Sequence, residues 1–319
     1  MSTYNPALLQ LRNAIRPWLL KANSHEPILV GVSGGADSLS LACATSLEAG
    51  QTHQVIPVVV DHGLQENSAM IAEQTVNKLK KFGFDDVFAG KAQVTLTDGI
   101  EASARRARYQ IFNQALETYG SNLFFLGHTQ NDQAESVLLG LARGSGTKSL
   151  SGMAEVNGAF VRPFLSISRA TTEAACKELG IEFWNDPHNL NEEFTRVRVR
   201  KNVLPMIETQ IGPGITEALA RSAKILRADS DALDEMAAGI FASQDSRDLD
   251  IAVLADLPKA IRSRVIRLAI YAAGAPAGSI TSDHLEPIEA LVTDWRGQGP
   301  SSLPGGVKVG RISGRLSLS

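Results

Sequence analysis

A short stretch rich in glycine and serine carries residue types that bind phosphate. It reads SGGADS, follows an apolar run typical of a buried parallel strand and precedes a helical pattern. The N–H groups and partial positive charge of a helix N-terminus suit an anion, and glycines allow close backbone approach. The stretch lacks the lysine of a Walker A loop. We therefore expect it to hold pyrophosphate released by attack at an α-phosphorus. The residues assigned to this role are Ser33, Gly34, Gly35, Ala36, Asp37 and Ser38.

The acid of this loop, Asp37, has two interpretations. A carboxylate repels phosphate, so it would assist nucleotide binding only through a bound Mg²⁺. Alternatively, Asp37 is the N-cap of an ordinary helix that follows a glycine turn. We predict the Mg²⁺ ligand and keep the N-cap as the alternative.

Two further sets of polar residues are predicted near the same edge of the sheet. Asp61 and His62 end the second apolar strand pattern, on the side where open α/β sheets bind ligands. Arg105 and Arg108 are three residues apart in a helical pattern, so they share one face and are suited to holding phosphates. The alternative for the arginines is a solvated face with ion pairs.

The helix after the fourth strand pattern carries a histidine and two acids. His128, Asp132 and Glu135 are spaced four and three residues apart, so they share one face at the start of that helix. Acids in a first turn also stabilise any helix through its dipole, which is the alternative. A zinc site is a poor interpretation, because the set has one histidine and no cysteine.

A basic stretch, FTRVRVRKNV, has no acid between positions 194 and 201. Its arginines Arg196 and Arg200 have three interpretations: contact with nucleic-acid phosphates, orientation towards the active site, or a solvated cationic segment. The apolar alternation indicates a strand, whereas arginines four residues apart indicate a helix.

These residues need a scaffold, and the periodicity predicts an α/β fold. Strand and helix patterns alternate over roughly the first 200 residues, which favours a parallel sheet with helices on both faces. Prolines and glycines at 205–214 suggest a boundary. We predict a catalytic domain over 1–207 and a smaller, mostly helical domain over 208–319 that ends in a short β-hairpin.

The composition limits the class of protein. The 319 residues carry a net charge of −3, and the two cysteines form no CxxC pair. A disulfide framework and a zinc ribbon are therefore excluded. No stretch approaches ~18 apolar residues and none has a signal-peptide layout, so we expect a cytoplasmic protein that does not enter a membrane.

Several motifs together resemble a known family. SGGADS matches the loop of the N-type ATP pyrophosphatases, or PP-loop proteins. With VDHGL, EASARRARY, GHTQNDQAES, RGSGTKSLSGM and FTRVRVRKNVLP, the chain resembles the tRNA(Ile)-lysidine synthetases over nearly its whole length. The resemblance implies an adenine nucleotide alpha hydrolase-like fold. It also implies a ligase that uses ATP, Mg²⁺, free L-lysine and an isoleucine tRNA with a CAU anticodon.

The resemblance also implies roles for the residues above. ATP adenylates the C2 oxygen of the first anticodon cytidine, lysine attacks C2, and AMP leaves. The loop, Asp61 and His62 would bind the nucleotide, Asp132 and Glu135 would face the amine, and the helical domain would contact tRNA. The catalytic residues on this reading are Asp37, Arg105, Arg108, His128, Asp132, Glu135, Arg196 and Arg200. The chain departs from the family pattern at Val197, where asparagine is frequent, and at His188.

Two other functions share parts of this pattern. A tRNA thiolase uses the same loop, but it commonly needs cysteine pairs or an iron–sulfur cluster, which Cys43 and Cys176 do not supply. A non-catalytic nucleotide-binding protein would not need the carboxylates and arginines. The sequence is compatible with a monomer or a homodimer.

Overall fold

The chain forms two compact units, Met1–Ile225 and Leu226–Ser319, which are described separately. The computed structural model describes residues 5–23, 25–61, 63, 67–93, 99–144, 146–184, 191–276 and 278–319.

A six-stranded sheet forms the centre of the first unit. Its strands are β1 (Ile28–Val32), β2 (Val55–Asp61), β3 (Phe88–Lys91), β4 (Phe124–Phe125), β5 (Val156–Asn157) and β6 (Phe160–Val161). They lie in the order β3-β2-β1-β4-β6-β5. All neighbours are parallel except β5 and β6. The predicted parallel sheet is therefore confirmed, with one antiparallel edge strand.

Helices cover both faces of this sheet. The helices of this unit are α1 (Pro6–Leu19), α2 (Ala36–Ala49), α3 (Ser68–Phe82), α4 (Ile100–Tyr119), α5 (Gln130–Ala142), α6 (Thr147–Leu150), α7 (Arg169–Glu178), α8 (Thr195–Arg198) and α9 (Leu204–Gln210). Alternate residues of β1 show how helices pack on the two faces of the sheet. Ile28 and Val30 join one core cluster with α1, α2 and α7, whereas Leu29 joins a second with Phe112 of α4. A strand buried on both faces needs apolar residues at every position, which explains the continuous apolar run.

The strand β4 is shorter than the apolar pattern over 122–128 predicts. Leu126 still donates its N–H to the carbonyl of Val161 at 2.9 Å. Beyond it, Gly127 lies against the start of α2, where an added Cβ would be 3.0 Å from the carbonyl oxygen of Asp37. This close approach brings the end of β4 to the SGGADS stretch, residues 33–38, which we call the phosphate loop.

The second unit combines helices with a small sheet. A long helix, α10 (Ile215–Ala242), contains the division between the units and is followed by α11 (Ile251–Asp256), α12 (Lys259–Ala272) and α13 (Ser282–Thr293). Four antiparallel strands, in the order β7-β10-β9-β8, are β7 (Asp248–Asp250), β8 (Ser301–Ser302), β9 (Lys308–Ile312) and β10 (Arg315–Leu318). The terminal hairpin, β9 and β10, is thus the centre of a wider sheet. Among the described residues, no helix is long and apolar enough to cross a membrane.

Candidate active site

The phosphate loop joins β1 to α2 and leaves the helix N-terminus open to a ligand. Gly35 is the N-cap of α2, and no side chain caps the helix. Asp37 is the second residue of α2, so the N-cap alternative for Asp37 is wrong. The loop is held by its own serines: Ser38 Oγ accepts the N–H of Ser33 at 3.0 Å and donates to the carbonyl of Gly35 at 3.1 Å.

The first glycine of the loop has a conformation that other residues avoid. Gly34 has φ of +87°. An added Cβ would lie 2.7 Å from Thr75 Oγ1 of α3. Its neighbour Gly35 has φ of −78° and a nearest neighbour 3.8 Å from an added Cβ, which is an ordinary contact.

We predict that Gly34→Ala destabilises the protein by about 2 kcal/mol, because the side chain combines positive-φ strain with the collision at Thr75. Urea unfolding measures the change. Gly35→Ala adds the same methyl group without either cost, and its free energy of unfolding should stay near that of the wild type. Equal destabilisation by both variants would contradict this account of the loop.

Asp132, on α5, performs two tasks with its two carboxylate oxygens. Oδ2 accepts the N–H of Thr129 at 2.8 Å and its hydroxyl at 2.9 Å, which closes a capping box at the start of the helix. Oδ1 lies 3.1 Å from Nη2 of Arg169. The helix-stabilising interpretation and the site interpretation of this acid are therefore both compatible with the geometry.

Glu135, one turn further along α5, is fully buried and bound by two arginines. Arg200 forms a fork on it, with Nε 2.6 Å from Oε1 and Nη2 3.2 Å from Oε2. Arg196 donates from Nε to Oε2 at 2.8 Å. Of the interpretations of these arginines, the structure therefore supports orientation towards the acids.

The basic stretch is helical, so the strand interpretation is wrong. α8 continues into a π-helical turn at Val199–Val203, which places Arg196 and Arg200 on the same carboxylate. Single π turns are frequent at functional sites. Arg198 points elsewhere and donates to the carbonyl of Glu192 at 2.7 Å. Val197, at the position that departs from the family pattern, is buried.

An arginine that the sequence analysis did not identify connects these groups. Arg169, the first residue of α7, has Nε 3.3 Å from Asp37 Oδ2, Nη2 3.1 Å from Asp132 Oδ1 and Nη1 3.9 Å from Glu135 Oε1. Thr172 Oγ1 also donates to Asp37. No local signal marks Arg169, because its partners lie on other helices.

Burial and charge move the pKa values of the two aspartates in opposite directions. Burial raises the pKa of Asp37 above its ordinary value, although Arg169 and Thr172 oppose the shift. Burial also acts to raise the pKa of Asp132, but Arg169, the Thr129 N–H and Arg196 outweigh it and hold that pKa below its ordinary value. Asp132 is therefore firmly ionised.

His128 lies between β4 and α5 as a neutral imidazole. Burial, assisted by the nearby Arg162, Arg196 and Arg105, lowers its pKa from 6.5 to about 4, and Asp132 opposes the shift. Its buried Nδ1 has no hydrogen-bond partner among the described residues.

The lowered pKa of His128 predicts a dependence of stability on pH. Below pH 6.5 the unfolded chain binds a proton at His128, whereas in the folded chain His128 stays neutral until the pH approaches 4. Stability is therefore complete above pH 6.5 and is lost as the pH falls towards 4. His128→Gln should reduce the loss measured by urea unfolding between pH 7 and pH 5 by about 2 kcal/mol. Identical losses in variant and wild type would show that His128 binds its proton equally well in both states.

The remaining predicted residues are placed as follows. Arg105 is exposed on α4, with its guanidinium 5.1 Å from the ring centroid of Tyr109. Arg108 lies on the same helix and is partly buried. Asp61 ends β2, and its Oδ1 accepts the N–H of Gly63 at 2.9 Å. The roles of these three remain predictions, and His62 and His188 lie outside the described residues.

Neither cysteine has the character of a reactive thiol. Cys43 and Cys176 are buried, and burial raises the pKa of both, that of Cys176 to about 12. Thiolates are the nucleophiles and metal ligands in sulfur chemistry. The cysteines thus give no support to the thiolase alternative.

Comparison with known proteins gives a consistent match along the chain. A PP-loop domain model matches residues 7–207, and a TilS substrate binding domain model matches residues 249–317. The tRNA(Ile)-lysidine synthase of Thermobifida fusca is 44% identical over 322 aligned positions, covering 100% of this chain and 99% of that protein. That of Streptomyces coelicolor is 46% identical over 297 positions, covering 91% and 84%.

A solved structure shares the fold of a large part of this chain at low identity. The U34-tRNA thiolase of Methanococcus maripaludis, with its [4Fe-4S] cluster, superposes with a TM-score of 0.58 and 16% identity, covering 69% of this chain and 80% of that one. At this identity the likeness concerns the fold alone.

Proposed function

The chain belongs to the tRNA(Ile)-lysidine synthase family, and we propose that it ligates free L-lysine to C2 of the first anticodon cytidine in an isoleucine tRNA with a CAU anticodon. The observation that carries the proposal is the position of Asp132 and Glu135. Both acids meet Asp37 of the phosphate loop through the single guanidinium of Arg169.

The first half-reaction uses the phosphate loop. The C2 oxygen of the cytidine attacks the α-phosphorus of ATP, the bond from that phosphorus to the bridging oxygen breaks, and pyrophosphate leaves. The uncapped N–H groups at the start of α2 and the hydroxyl of Ser33 support binding of its negative charge. The loop thus acts by electrostatic stabilisation of the leaving group.

Asp37 fits a role as a Mg²⁺ ligand. Mg²⁺ at nucleotide sites is bound by one or two carboxylates together with phosphate oxygens and water. Asp37 offers such a carboxylate in the first turn behind the loop, and its contact with Arg169 is a long one, 3.3 Å. A bound Mg²⁺ would neutralise phosphate charge there.

The second half-reaction needs a positioned amine. The side-chain ammonium of lysine releases one proton to solvent and the neutral amine attacks C2. The bond from C2 to the adenylated oxygen breaks, AMP leaves with that oxygen, and the nitrogen releases a second proton to solvent. Asp132 is held ionised by the surrounding cations. It is therefore suited to binding the lysine ammonium before attack, and a poor proton acceptor.

The match of the second unit to a substrate binding domain supports a role in tRNA recognition. The TilS substrate binding domain model lies within it, over residues 249–317. We propose that this unit contacts the tRNA. Sedimentation velocity at assay concentration would distinguish a monomer from a homodimer.

The proposal is tested with purified protein, ATP, Mg²⁺, lysine and unmodified tRNA with a CAU anticodon. Mass spectrometry of the digested tRNA should show a cytidine heavier by lysine minus water, and only when every component is present. The same tRNA with uridine at the first anticodon position should remain unmodified. Pyrophosphate release without the product would overturn the assigned substrates, and ATP binding without pyrophosphate release would favour a non-catalytic protein.

A further inference from the structure

Arg169 is the one residue described in the site that contacts acids of both half-reactions. On one side its Nε lies 3.3 Å from Asp37, the acid of the nucleotide loop. On the other side its Nη2 lies 3.1 Å from Asp132, the acid assigned to the amine. A planar guanidinium has donors in fixed directions, so it can hold two carboxylates at once.

The backbone around Arg169 fixes where this guanidinium can reach. The side-chain oxygen of Asn131 in α5 accepts the N–H of Arg169 at 2.9 Å, and Gln130 donates its N–H to Ile167 at 2.9 Å. Thr172 Oγ1, which donates to Asp37, also lies 2.7 Å from the carbonyl oxygen of Arg169. The first turns of α5 and α7 are therefore joined, and α2 is linked to them through Asp37.

The charges of the cluster balance without substrate. Three carboxylates, those of Asp37, Asp132 and Glu135, face three guanidiniums, those of Arg169, Arg196 and Arg200. A lysine ammonium that enters this cluster competes with Arg169 for Asp132 Oδ1. Nucleotide phosphates beside Asp37 attract the same guanidinium and thereby withdraw the nearest cation from Asp132 Oδ1, since Nη2 of Arg200 and Nη2 of Arg196 lie further from that oxygen, at 3.6 and 4.0 Å.

We propose that Arg169 is a positioning residue that couples nucleotide binding to lysine binding. This inference rests on the proposed function. In the free protein Arg169 occupies the oxygen that the ammonium uses, and nucleotide draws it towards the phosphates. Nucleotide therefore raises the affinity for lysine, and lysine raises the affinity for nucleotide by the same factor.

The test measures binding of labelled lysine by equilibrium dialysis, with and without a non-hydrolysable ATP analogue, with unmodified tRNA in every sample. In the wild type the analogue should lower the Kd for lysine by about tenfold, within the usual range of coupling between sites. In Arg169→Gln the two Kd values should agree within about twofold. Arg169→Lys keeps the charge but cannot contact both acids, so its ratio should also approach one.

A matched control is Arg12→Gln, because Arg12 forms an ion pair with Glu48 at 2.7 Å outside the site. In this variant the ratio of the Kd for lysine without the analogue to the Kd with it should equal that of the wild type. A wild-type ratio near one, or an unchanged ratio in folded Arg169 variants, would overturn the coupling. If Arg169→Gln does not fold, the Kd ratio of Arg169→Lys tests the coupling instead. Absence of lysine binding by the wild type in every sample would instead overturn the proposed function.

Discussion

Glu135→Gln should cost about 3 kcal/mol of folding free energy, because it leaves two half-buried guanidiniums, those of Arg196 and Arg200, without their fully buried carboxylate. Glu135 is fully buried, and both of its oxygens accept from Arg196 or Arg200 at 3.2 Å or less. A neutral amide also places an N–H₂ group against arginine donors. We expect lysine transfer to decrease more than pyrophosphate release, since we assign the disturbed groups to the amine half of the site.

The matched control is Glu192→Gln. Glu192 contacts Lys201 at 3.2 Å, but both side chains are exposed to solvent, where ion pairs contribute little. Its free energy of unfolding in urea should therefore stay close to that of the wild type. Adding Arg200→Gln to Glu135→Gln should recover part of the folding free energy that the single variant loses, as a double-mutant cycle would measure. Equal loss of both half-reactions in folded Glu135→Gln would contradict a role confined to the amine.

Asp37→Asn should lower the rate of pyrophosphate release by about 100-fold or more, the usual effect of removing one electrostatic contact to the reacting groups. The reason is that Asp37 is the only acid of the phosphate loop, and an amide is a far weaker ligand for Mg²⁺. Stability should change little, because Arg169 keeps its contacts with Asp132 and Glu135.

The control for this variant is Asp86→Asn. Asp86 accepts the Tyr119 hydroxyl at 2.8 Å, a structural contact away from the loop. It should leave the rate of pyrophosphate release unchanged. If Asp37→Asn retains the wild-type rate in stopped-flow pyrophosphate detection, Asp37 has no part in nucleotide turnover. If instead it unfolds, its role is structural.

The sequence predicts elements well where one physical cause determines them. The continuous apolar run before the SGGADS loop follows from burial of a strand on both faces, and it matches β1. The stretch around Arg196 was ambiguous, because its decisive partner is Glu135, 61 residues earlier in the chain. The apolar pattern over 122–128 predicts a longer strand than β4, and Gly127, just beyond the strand, lies against Asp37 at the start of α2.

The arrangement of the site depends on contacts between distant segments, which single-sequence patterns do not contain. The spacing of Asp132 and Glu135 places both on one face of α5, as predicted. Their connection to Asp37 requires Arg169, which lies 132 residues from Asp37 in the chain. Likewise β7 and β8 have three and two residues, too few to give a periodic pattern of their own.

The preference of this acid cluster for guanidinium bears on the choice of denaturant and buffer. Asp132 and Glu135 already bind the side-chain form of this cation at 2.6 to 3.1 Å. On the proposed function, free guanidinium ions should compete with lysine for the same oxygens, so we expect guanidinium chloride to inhibit transfer at concentrations that leave the chain folded. Sodium chloride at equal ionic strength lacks the planar fork and should inhibit less. Arginine, a common solubilising additive, is expected to act as a competitor in the same way.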